Sequence, residues 1–397
     1  MKLAELAARV GVGSYPEAAE AIYAALPEDD GALYNVAYLR ELEEEYQLLG
    51  EYYSAVERAA IALAGREELC LWGRLMLAYI RTVGEGEIRR LPINSTDGTP
   101  AADMLPMLVL LQEVPAMVAR YRARGFRDEE IRRTVKCYGK NIAATEREMH
   151  RPMLDAGHYS WLLYYVMAGI FDHKAFNFQP ASFGGGAILF RHRESGEYRF
   201  MMTAGRFHRS GRQLGSIGCE EEEGAFDAEF SETADGFGGH LVEGGLVLPE
   251  RVSLSASLWE CVLRPGDPVV NLHIPRGADL TPAYVEESLR EGLARTRHHF
   301  PERAHRAIAC YSWLMDPTLS ALLGGEGKLA HFSDLFTRFP LRDMGRACHW
   351  HVFPGYEGRP LAEYPEDTSL RRKLKAHLMD GRYVYSMGGV ILDTLEW

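Results

Sequence analysis

Apolar residues in the first part of the chain recur at helical spacing. The clearest run places them three or four positions apart, at Leu39, Leu42, Tyr46, Leu49, Tyr53 and Val56. This spacing predicts one amphipathic helix. Further apolar runs over residues 61–80, 105–121 and 161–170 predict more helices, and a helix near Asp128 has acidic residues in its first turn. Residues 1–178 therefore read as a helical N-terminal domain, mainly scaffold or lid.

From about residue 180 the pattern changes to short β-type runs between glycine-rich turns. The predicted strands cover residues 187–191, 198–203, 252–263, 269–275, 307–315, 349–353 and 384–392. Four helices are predicted in this part. One begins at Thr281-Pro282, which looks like an N-cap followed by proline at the first helical position. The others follow Asp316-Pro317 and cover residues 333–339 and 368–379. We expect an α+β protein in which a mixed α/β domain of residues 179–397 follows the helical domain.

Composition narrows the class of protein. The chain has 397 residues, of which 47% are hydrophobic and 25% charged. These proportions are typical of a soluble globular protein with a sizeable core, and they exclude disorder and small disulfide scaffolds. The net charge is −12, which disfavours nucleic acid and an anionic membrane as partners.

Localisation is predicted from the features that a secreted or membrane protein would need. Glu5 and Arg9 stand where a signal peptide has its apolar core, and the run 161–171 is too short to span a bilayer. The six cysteines show no paired spacing, so we expect reduced thiols and no zinc site. A cytoplasmic protein is the expectation, and its oligomeric state is open.

The first candidate site is the stretch from Asn271 to Gly277. His273 lies in a predicted buried strand just before a glycine turn and a helix N-terminus, where open α/β sheets place ligands. His273 could act as a general base, and Arg276 with the helix N–H groups could hold a phosphate. The alternative is a core histidine bonded to a backbone carbonyl.

The second candidate is the strand beginning at Cys310. Ser312 and Trp313 could line a cleft, while Asp316 is better explained as the cap of the next helix. Cys310 could be a nucleophile only with an activating base.

Two further places carry polar side chains. His349 and His351 lie two apart on a predicted strand, so they could share a metal ion or form a pocket wall; no third ligand accompanies them, and we expect no metal. Glu232 and His240 flank a glycine-rich segment that could cover a site, or could be a plain hairpin. Glu220–Glu223 could attract a cationic substrate, or form a solvated loop.

Several segments together resemble a known family. They are GDPVVNLHIPRGADLTPAYVEESL (266–289), CYSWLMDPTLSALL (310–323), ETADGFGGHLVEGGLVLPERV upstream, and the helical segments LPMLVLLQEVPAMVARYRARGF and GHYSWLLYYVMAGIF. They resemble a bacterial acyltransferase family with a helical N-acyltransferase N-terminal domain and a GNAT-like C-terminal domain. The resemblance covers roughly residues 100–345.

The resemblance implies an acyl-CoA co-substrate whose pantetheine arm lies between two strands, here 269–275 and 307–315. Its pyrophosphate would sit at the N-terminus of the helix that begins at Pro282. Within this mechanism we expect His273 to act as the base and Ser312 to make a polar contact or act as the proton donor. We expect Ile274, Arg276, Gly277 and Trp313 to contact acyl-CoA, and Glu232, His240 and His351 to contact the acceptor.

Three functions remain open at this point. The first is acyl transfer from acyl-CoA to a small amine or hydroxyl acceptor, with a cationic acceptor as one option. The second is a GNAT-like binding protein that has lost catalysis, because no phosphate loop is recognisable beyond Arg276-Gly277. The third is a hydrolase that uses a cysteine or serine with one of the histidines.

Overall fold

The computed structural model describes residues 1–392 and divides into two compact units. The first runs from Met1 to Asp172, and the second begins at His173. The boundary predicted after residue 178 falls inside a strand of the second unit, because strand pairing begins before the glycine-rich turns that mark the change of pattern. Residues 393–397 of the predicted second domain lie outside the described residues.

The first unit is helical. Its helices are α1 (Leu3–Arg9), α2 (Ala18–Ala24), α3 (Val36–Tyr46), α4 (Tyr53–Leu63), α5 (Glu67–Thr82), α6 (Pro100–Leu111), α7 (Val114–Ala123), α8 (Asp128–Val135), α9 (Cys137–Met149) and α10 (Ala156–Val166). The short strand β1 (Phe171–His173) follows them. The predicted helical character of this half is confirmed.

The single helix predicted over residues 39–56 is wrong, because α3 and α4 are separate. Gln47 ends α3 in the left-handed region, with φ of 51°. The Glu43 carboxylate then accepts the N–H groups of Leu49 at 2.8 Å and Gly50 at 2.9 Å, which fixes the turn. Both helices bury an apolar face, so the hydrophobic spacing continues across a break that it does not reveal.

Helices α6 and α7 carry the most apolar stretch of the first unit. The segment Pro100–Ala123 is long and apolar enough to cross a membrane by length and composition, but 83% of its most apolar part is buried inside the protein. Such burial is typical of a core helix. The estimate from uninterrupted apolar runs missed this segment because Asp103 and Pro106 interrupt it.

The second unit contains the sheets. Its strands are β2 (Phe176–Ser182), β3 (Ala187–His192), β4 (Tyr198–Met202), β5 (Arg206–Phe207), β6 (Phe226–Asp227), β7 (Ser231–Glu232), β8 (Gly236–Glu243), β9 (Leu246–Ser255), β10 (Trp259–Leu263), β11 (Pro268–His273), β12 (Ala307–Ser312), β13 (Thr337–Pro340) and β14 (Met387–Leu392). Its helices are α11 (Pro282–His299), α12 (Pro317–Leu323), α13 (Lys328–Asp334), α14 (Arg346–Val352) and α15 (Ser369–Met379).

Two sheets contain most of these strands, and β5 and β6 pair with each other in a third, two-stranded sheet. In the first, which we call the site sheet, the order is β2-β11-β12-β14-β13. The pair β11–β12 is parallel, whereas β11 with β2 and β12 with β14 are antiparallel. The second sheet has the order β10-β3-β4-β8-β7, and β9 also pairs with β8. The predicted mixed sheet and the α+β class are confirmed.

Three local predictions in this unit are wrong. The strand predicted over 349–353 is helix α14, and the helix predicted over 333–339 ends with α13 at Asp334 and gives way to β13. The strand predicted over 252–263 is two strands, β9 and β10. The first two segments are short, and hydrophobic periodicity alone does not distinguish helix from strand at such lengths. The third is strand as predicted, but a turn at residues 256–258 divides it.

One face of the site sheet packs against the second sheet. Val269, Ala307 and Ala309 from the site sheet meet Leu189 and Phe200 from the second sheet in one buried cluster. These contacts lie at the N-terminal ends of β11 and β12. The polar residues of β11 lie on the same face, closer to the C-terminal ends of these strands.

Helix α11 covers the opposite face. It begins as predicted, with Thr281 as N-cap and Pro282 at the first helical position. Gly292 faces Phe178 of β2 so closely that an added Cβ would lie 2.0 Å from the ring atom Cζ. A glycine is therefore required for helix and strand to approach this closely.

Candidate active site

Strands β11 and β12 separate near their C-terminal ends. Their parallel pairing covers only Val270 with Ile308 and Asn271 with Ala309. On the outer sides, β11 stays paired with β2 as far as His273, and β12 stays paired with β14 as far as Ser312. The strands are thus held by their outer neighbours while a gap opens between them.

The register decides which side chains face each other at this gap. Laterally paired residues share a face, and side chains alternate along each strand. Asn271 and His273 of β11 therefore share a face with Gln179 of β2 and Tyr311 of β12. We call these four residues the polar face; they continue the surface that packs on the second sheet.

His273 is held by its neighbour on β2. Its Nε2 lies 2.8 Å from Oε1 of Gln179, and an amide oxygen only accepts, so Nε2 carries the proton and Nδ1 the lone pair. Burial lowers the pKa of His273 to about 4. At neutral pH the imidazole is therefore uncharged, which is the form that can accept a proton.

Tyr311 is the aromatic member of the polar face. Its side chain is 38% exposed, and its ring packs edge-on against Phe339. The backbone N–H of Gly184 donates to its hydroxyl at 3.4 Å. Burial raises the pKa of Tyr311, so the phenol keeps its proton at neutral pH. The loop after β2 thus reaches the same face.

Ser312 has a different environment from the one expected. It lies one residue beyond Tyr311, so its side chain faces the α11 side of the site sheet, away from His273. Its hydroxyl accepts the N–H of Leu314 at 3.2 Å and caps the 3₁₀ turn Trp313–Met315. The proton-donor role stays a prediction, and this geometry gives it no support.

Three of the predicted binding residues do come together at this edge. Arg276, in the loop after β11, donates from Nη1 to the carbonyl oxygen of His351 at 3.1 Å. The His351 ring lies nearly parallel to that of Trp313, with centroids 6.3 Å apart. Ile274 and Gly277 belong to the same loop, where Gly277 turns the chain with φ of 77°.

His349 and His351, which were predicted to share a face of a strand, lie on a helix. Two residues apart on α14, His349 and His351 point to different sides. His349 Nδ1 contacts the Tyr364 hydroxyl at 3.1 Å. Among the described residues, the group that could share an ion is Glu148, Asp155 and His158 in the helical unit, where Asp155 already caps α10.

Glu232 and His240 lie in the second sheet. Glu232 is on the short strand β7, where its carboxylate accepts a hydrogen bond from Arg264 at 2.8 Å. His240 is buried on β8, with Nδ1 3.1 Å from the carbonyl oxygen of Leu248 and its ring against Phe226. A carbonyl oxygen only accepts, so Nδ1 carries the proton. The contacts described for these two residues do not connect them to the polar face, and their acceptor-binding role stays a prediction.

The structure gives little support to the hypotheses of a hydrolase and of a cationic substrate. Cys310 is 1% exposed on the α11 side of the site sheet, and burial raises the pKa of its thiol to about 12, so no thiolate is available at neutral pH. Within the exposed run Glu220–Glu223, two carboxylates pair with nearby arginines, Glu221 with Arg209 and Glu222 with Arg206.

The sequence analysis did not identify Gln179 and Tyr311 as members of the site, and it gave Asn271 no role within the first candidate stretch. The segment Asn177-Phe178-Gln179 alternates polar, apolar and polar, which is the signal of a strand with one polar face. Asn271 and His273 repeat that alternation in β11. Pairing two such strands brings their polar sides together, but the register that does so is not readable from either segment alone.

Comparison with known proteins places the chain in a family. Residues 1–167 match the model of the N-acyltransferase N-terminal domain, and residues 193–391 match the model of the GNAT-like C-terminal domain. No match is found among curated proteins.

Solved structures share the fold over nearly the whole chain. An acyltransferase in complex with decanoyl-CoA and teicoplanin is 19% identical, with a TM-score of 0.67 and 99% of both chains covered. An acyltransferase in complex with decanoyl-CoA is 18% identical, with a TM-score of 0.65 and the same coverage. The two domain models together span most of the chain, and the chain belongs to the acyltransferase family that joins an N-acyltransferase N-terminal domain to a GNAT-like C-terminal domain.

Proposed function

We propose that this protein transfers an acyl group from an acyl-CoA thioester to a small amine or hydroxyl acceptor. The observation that carries the proposal is the gap between β11 and β12 beyond Asn271 and Ala309, where each strand continues with its outer partner alone. Strands that diverge in this way expose unpaired backbone N–H and C=O groups, which need partners. The two amides of a pantetheine arm supply both kinds of partner.

The family and the similar structures support the choice of co-substrate. Structures that share this fold include acyltransferases in complex with decanoyl-CoA, with octanoyl-CoA, and with CoA and 10C-teicoplanin. In the present chain the loop after β11 carries Arg276, and α11 follows with N-terminal N–H groups that Thr281 does not cap through its side chain. A cation and a helix N-terminus together suit the pyrophosphate of CoA.

Two residues of the polar face, His273 and Tyr311, supply the groups that the reaction needs. In this proposal the acceptor attacks the thioester carbonyl carbon, and the neutral His273 imidazole takes the proton that the acceptor loses. Collapse of the tetrahedral intermediate breaks the C–S bond. Tyr311 then provides the proton for the departing thiolate, since it lies on the His273 side of the sheet and keeps its proton at neutral pH.

A substitution at His273 tests the proposal. We expect His273→Ala to lower the turnover of decanoyl-CoA at least about tenfold while its affinity for decanoyl-CoA stays within about twofold. His349→Ala is the matched control, because His349 lies on α14 and contacts Tyr364. Free CoA thiol reports turnover, and titration calorimetry reports binding.

The outcomes separate the remaining functions. Wild-type turnover in His273→Ala would remove His273 from the reaction. Binding of decanoyl-CoA without turnover by the wild-type protein in any acceptor screen would favour a binding protein instead. Absence of binding to any acyl-CoA would contradict the proposal itself.

A further inference from the structure

The side chain of Asn271 carries a buried polar atom that is left unsatisfied by the described residues. Its side-chain oxygen Oδ1 is buried and has no hydrogen-bond partner among the described residues 1–392. Leaving a buried acceptor unsatisfied costs about 1–3 kcal/mol, so such atoms in folded proteins call for a specific explanation.

The position of Asn271 is the vertex of the gap. It forms the last lateral pair between β11 and β12, with Ala309, and it is the cross-strand neighbour of Gln179 on β2. The Gln179 amide oxygen is already engaged by His273. The unsatisfied oxygen of Asn271 therefore lies on the polar face, two residues before the imidazole, where the acceptor and the thioester would meet.

We propose that Asn271 is a specificity residue that selects an amine acceptor over a hydroxyl acceptor, an inference that rests on the proposed function. A neutral primary amine has two N–H groups. One is lost as a proton during transfer, and the other remains to donate to Oδ1 of Asn271. A hydroxyl has a single O–H, and that proton must leave, so a hydroxyl cannot serve both partners.

The chemistry gives this hydrogen bond its effect in the transition state. The amine lone pair forms the C–N bond, and the nitrogen becomes positively charged in the tetrahedral intermediate. Its N–H donor is then stronger, so the bond to Asn271 tightens as the barrier is crossed. The C–S electron pair leaves on sulfur, the surplus nitrogen proton goes to His273, and a proton completes CoA thiol; the products are an amide and CoA.

The test uses the smallest nucleophiles, so that the identity of the natural acceptor does not matter. The full-length protein is given decanoyl-CoA with hydroxylamine as the amine probe or methanol as the hydroxyl probe, and the hydroxamate, the ester and the hydrolysed acid are quantified. The variants are Asn271→Leu, which removes the acceptor atom, and Asn271→Asp, which keeps it. Calorimetry measures the affinity of each variant for decanoyl-CoA.

We expect the wild-type protein to form hydroxamate faster than ester. Asn271→Leu should lose hydroxamate formation at least about tenfold while formation of the methyl ester and decanoyl-CoA affinity stay within about twofold, and Asn271→Asp should retain most of the hydroxamate activity. The unchanged ester formation and affinity also show that the variant is folded.

Each other outcome overturns the inference. A loss of decanoyl-CoA affinity in Asn271→Leu would assign Oδ1 to the pantetheine arm, and equal loss of amide and ester formation would assign it a structural role. No change in any product would show that Oδ1 does not contact the acceptor. No hydroxamate from a wild-type protein that binds decanoyl-CoA would show that an amine is not the acceptor it selects. Failure of the wild-type protein to bind decanoyl-CoA would instead remove the proposed function, and the inference with it.

Discussion

Replacing Gly292 with alanine probes the contact that positions β2 beneath α11. The added Cβ would lie 2.0, 2.2 and 2.4 Å from three carbons of the Phe178 ring, whereas carbon atoms in contact normally stay ~3.5–4.0 Å apart. The ring must therefore retreat by roughly 1.5 Å within a packed interior, since Phe178 is fully buried and Gly292 is buried.

The expected cost follows from two opposing effects. Overpacking destabilises by about 1–3 kcal/mol, and an added Cβ only 2.0 Å from a ring atom places this variant in the upper part of that range, at about 2–3 kcal/mol. Alanine in place of glycine in a helix interior stabilises by about 1 kcal/mol. The net destabilisation should be about 1–2 kcal/mol. For a unit of this size that is a fall in melting temperature of roughly 2–8 °C.

The consequence extends to the site. Gln179 follows Phe178 in β2 and holds His273 from the opposite face of the sheet. Movement of Phe178 away from α11 should therefore disturb the His273–Gln179 hydrogen bond. In Gly292→Ala, the turnover of decanoyl-CoA should then fall by a larger factor than the affinity of the protein for decanoyl-CoA.

Thermal melts followed by circular dichroism measure the stability change. Gly157→Ala is the matched control, because Gly157 is also in a helix but its added Cβ would meet only the Asp155 carboxylate oxygen, at 3.3 Å. The double variant with Phe178→Leu should be less destabilised than the sum of the single variants by more than ~0.5 kcal/mol. A melting temperature of Gly292→Ala equal to or above that of the wild type would refute the packing argument.

The remaining predictions concern charge and protonation. Arg276→Ala should raise the KM for decanoyl-CoA by about five- to tenfold with little change in kcat, and a kcat change alone would contradict a phosphate-binding role. Tyr311→Phe should lower kcat about tenfold but leave the melting temperature within ~2 °C; unchanged kcat would exclude it as the proton donor. The pKa of His273 is lowered to about 4 from its usual value near 6.5. As the pH falls, the unfolded chain therefore binds this proton before the folded protein does. The free energy of unfolding should then decrease as the pH falls from 6.5 towards 4. Urea unfolding should show the free energy of unfolding of the wild-type protein falling by about 3 kcal/mol over this range. His273→Gln should lose correspondingly less over the same range. Equal acid sensitivity of the two proteins would argue against a neutral buried imidazole.

The sequence was sufficient for those parts of the fold that local patterns encode. Thr281-Pro282 predicted the start of α11, and the apolar run 269–275 predicted β11 to within two residues of its end. Segments with weak or ambiguous local patterns were misassigned. The stretch around His349 is as apolar as a strand, yet it forms a helix that packs in the cluster with Leu374 and Leu378 of α15.

The same distinction between local and long-range information applies to the residues of the candidate site. His273 and Arg276 were identified because a polar residue in a buried strand, followed by a glycine turn, is visible locally. Ser312 was chosen over Tyr311 because the choice of face depends on the pairing of Asn271 with Ala309, a contact between distant segments. Gln179 was missed for the same reason, since its role depends on the register of β2 against β11.

The place of β14 in the site sheet has a consequence for synthesis of the protein on the ribosome. This strand lies between β12 and β13, yet residues 387–392 follow every other described element in the chain. Until they emerge, β12 and β13 each present an open edge, and open edges invite pairing with other chains. A nonsense codon shortly before Met387 should therefore yield an aggregating product rather than a shorter active enzyme.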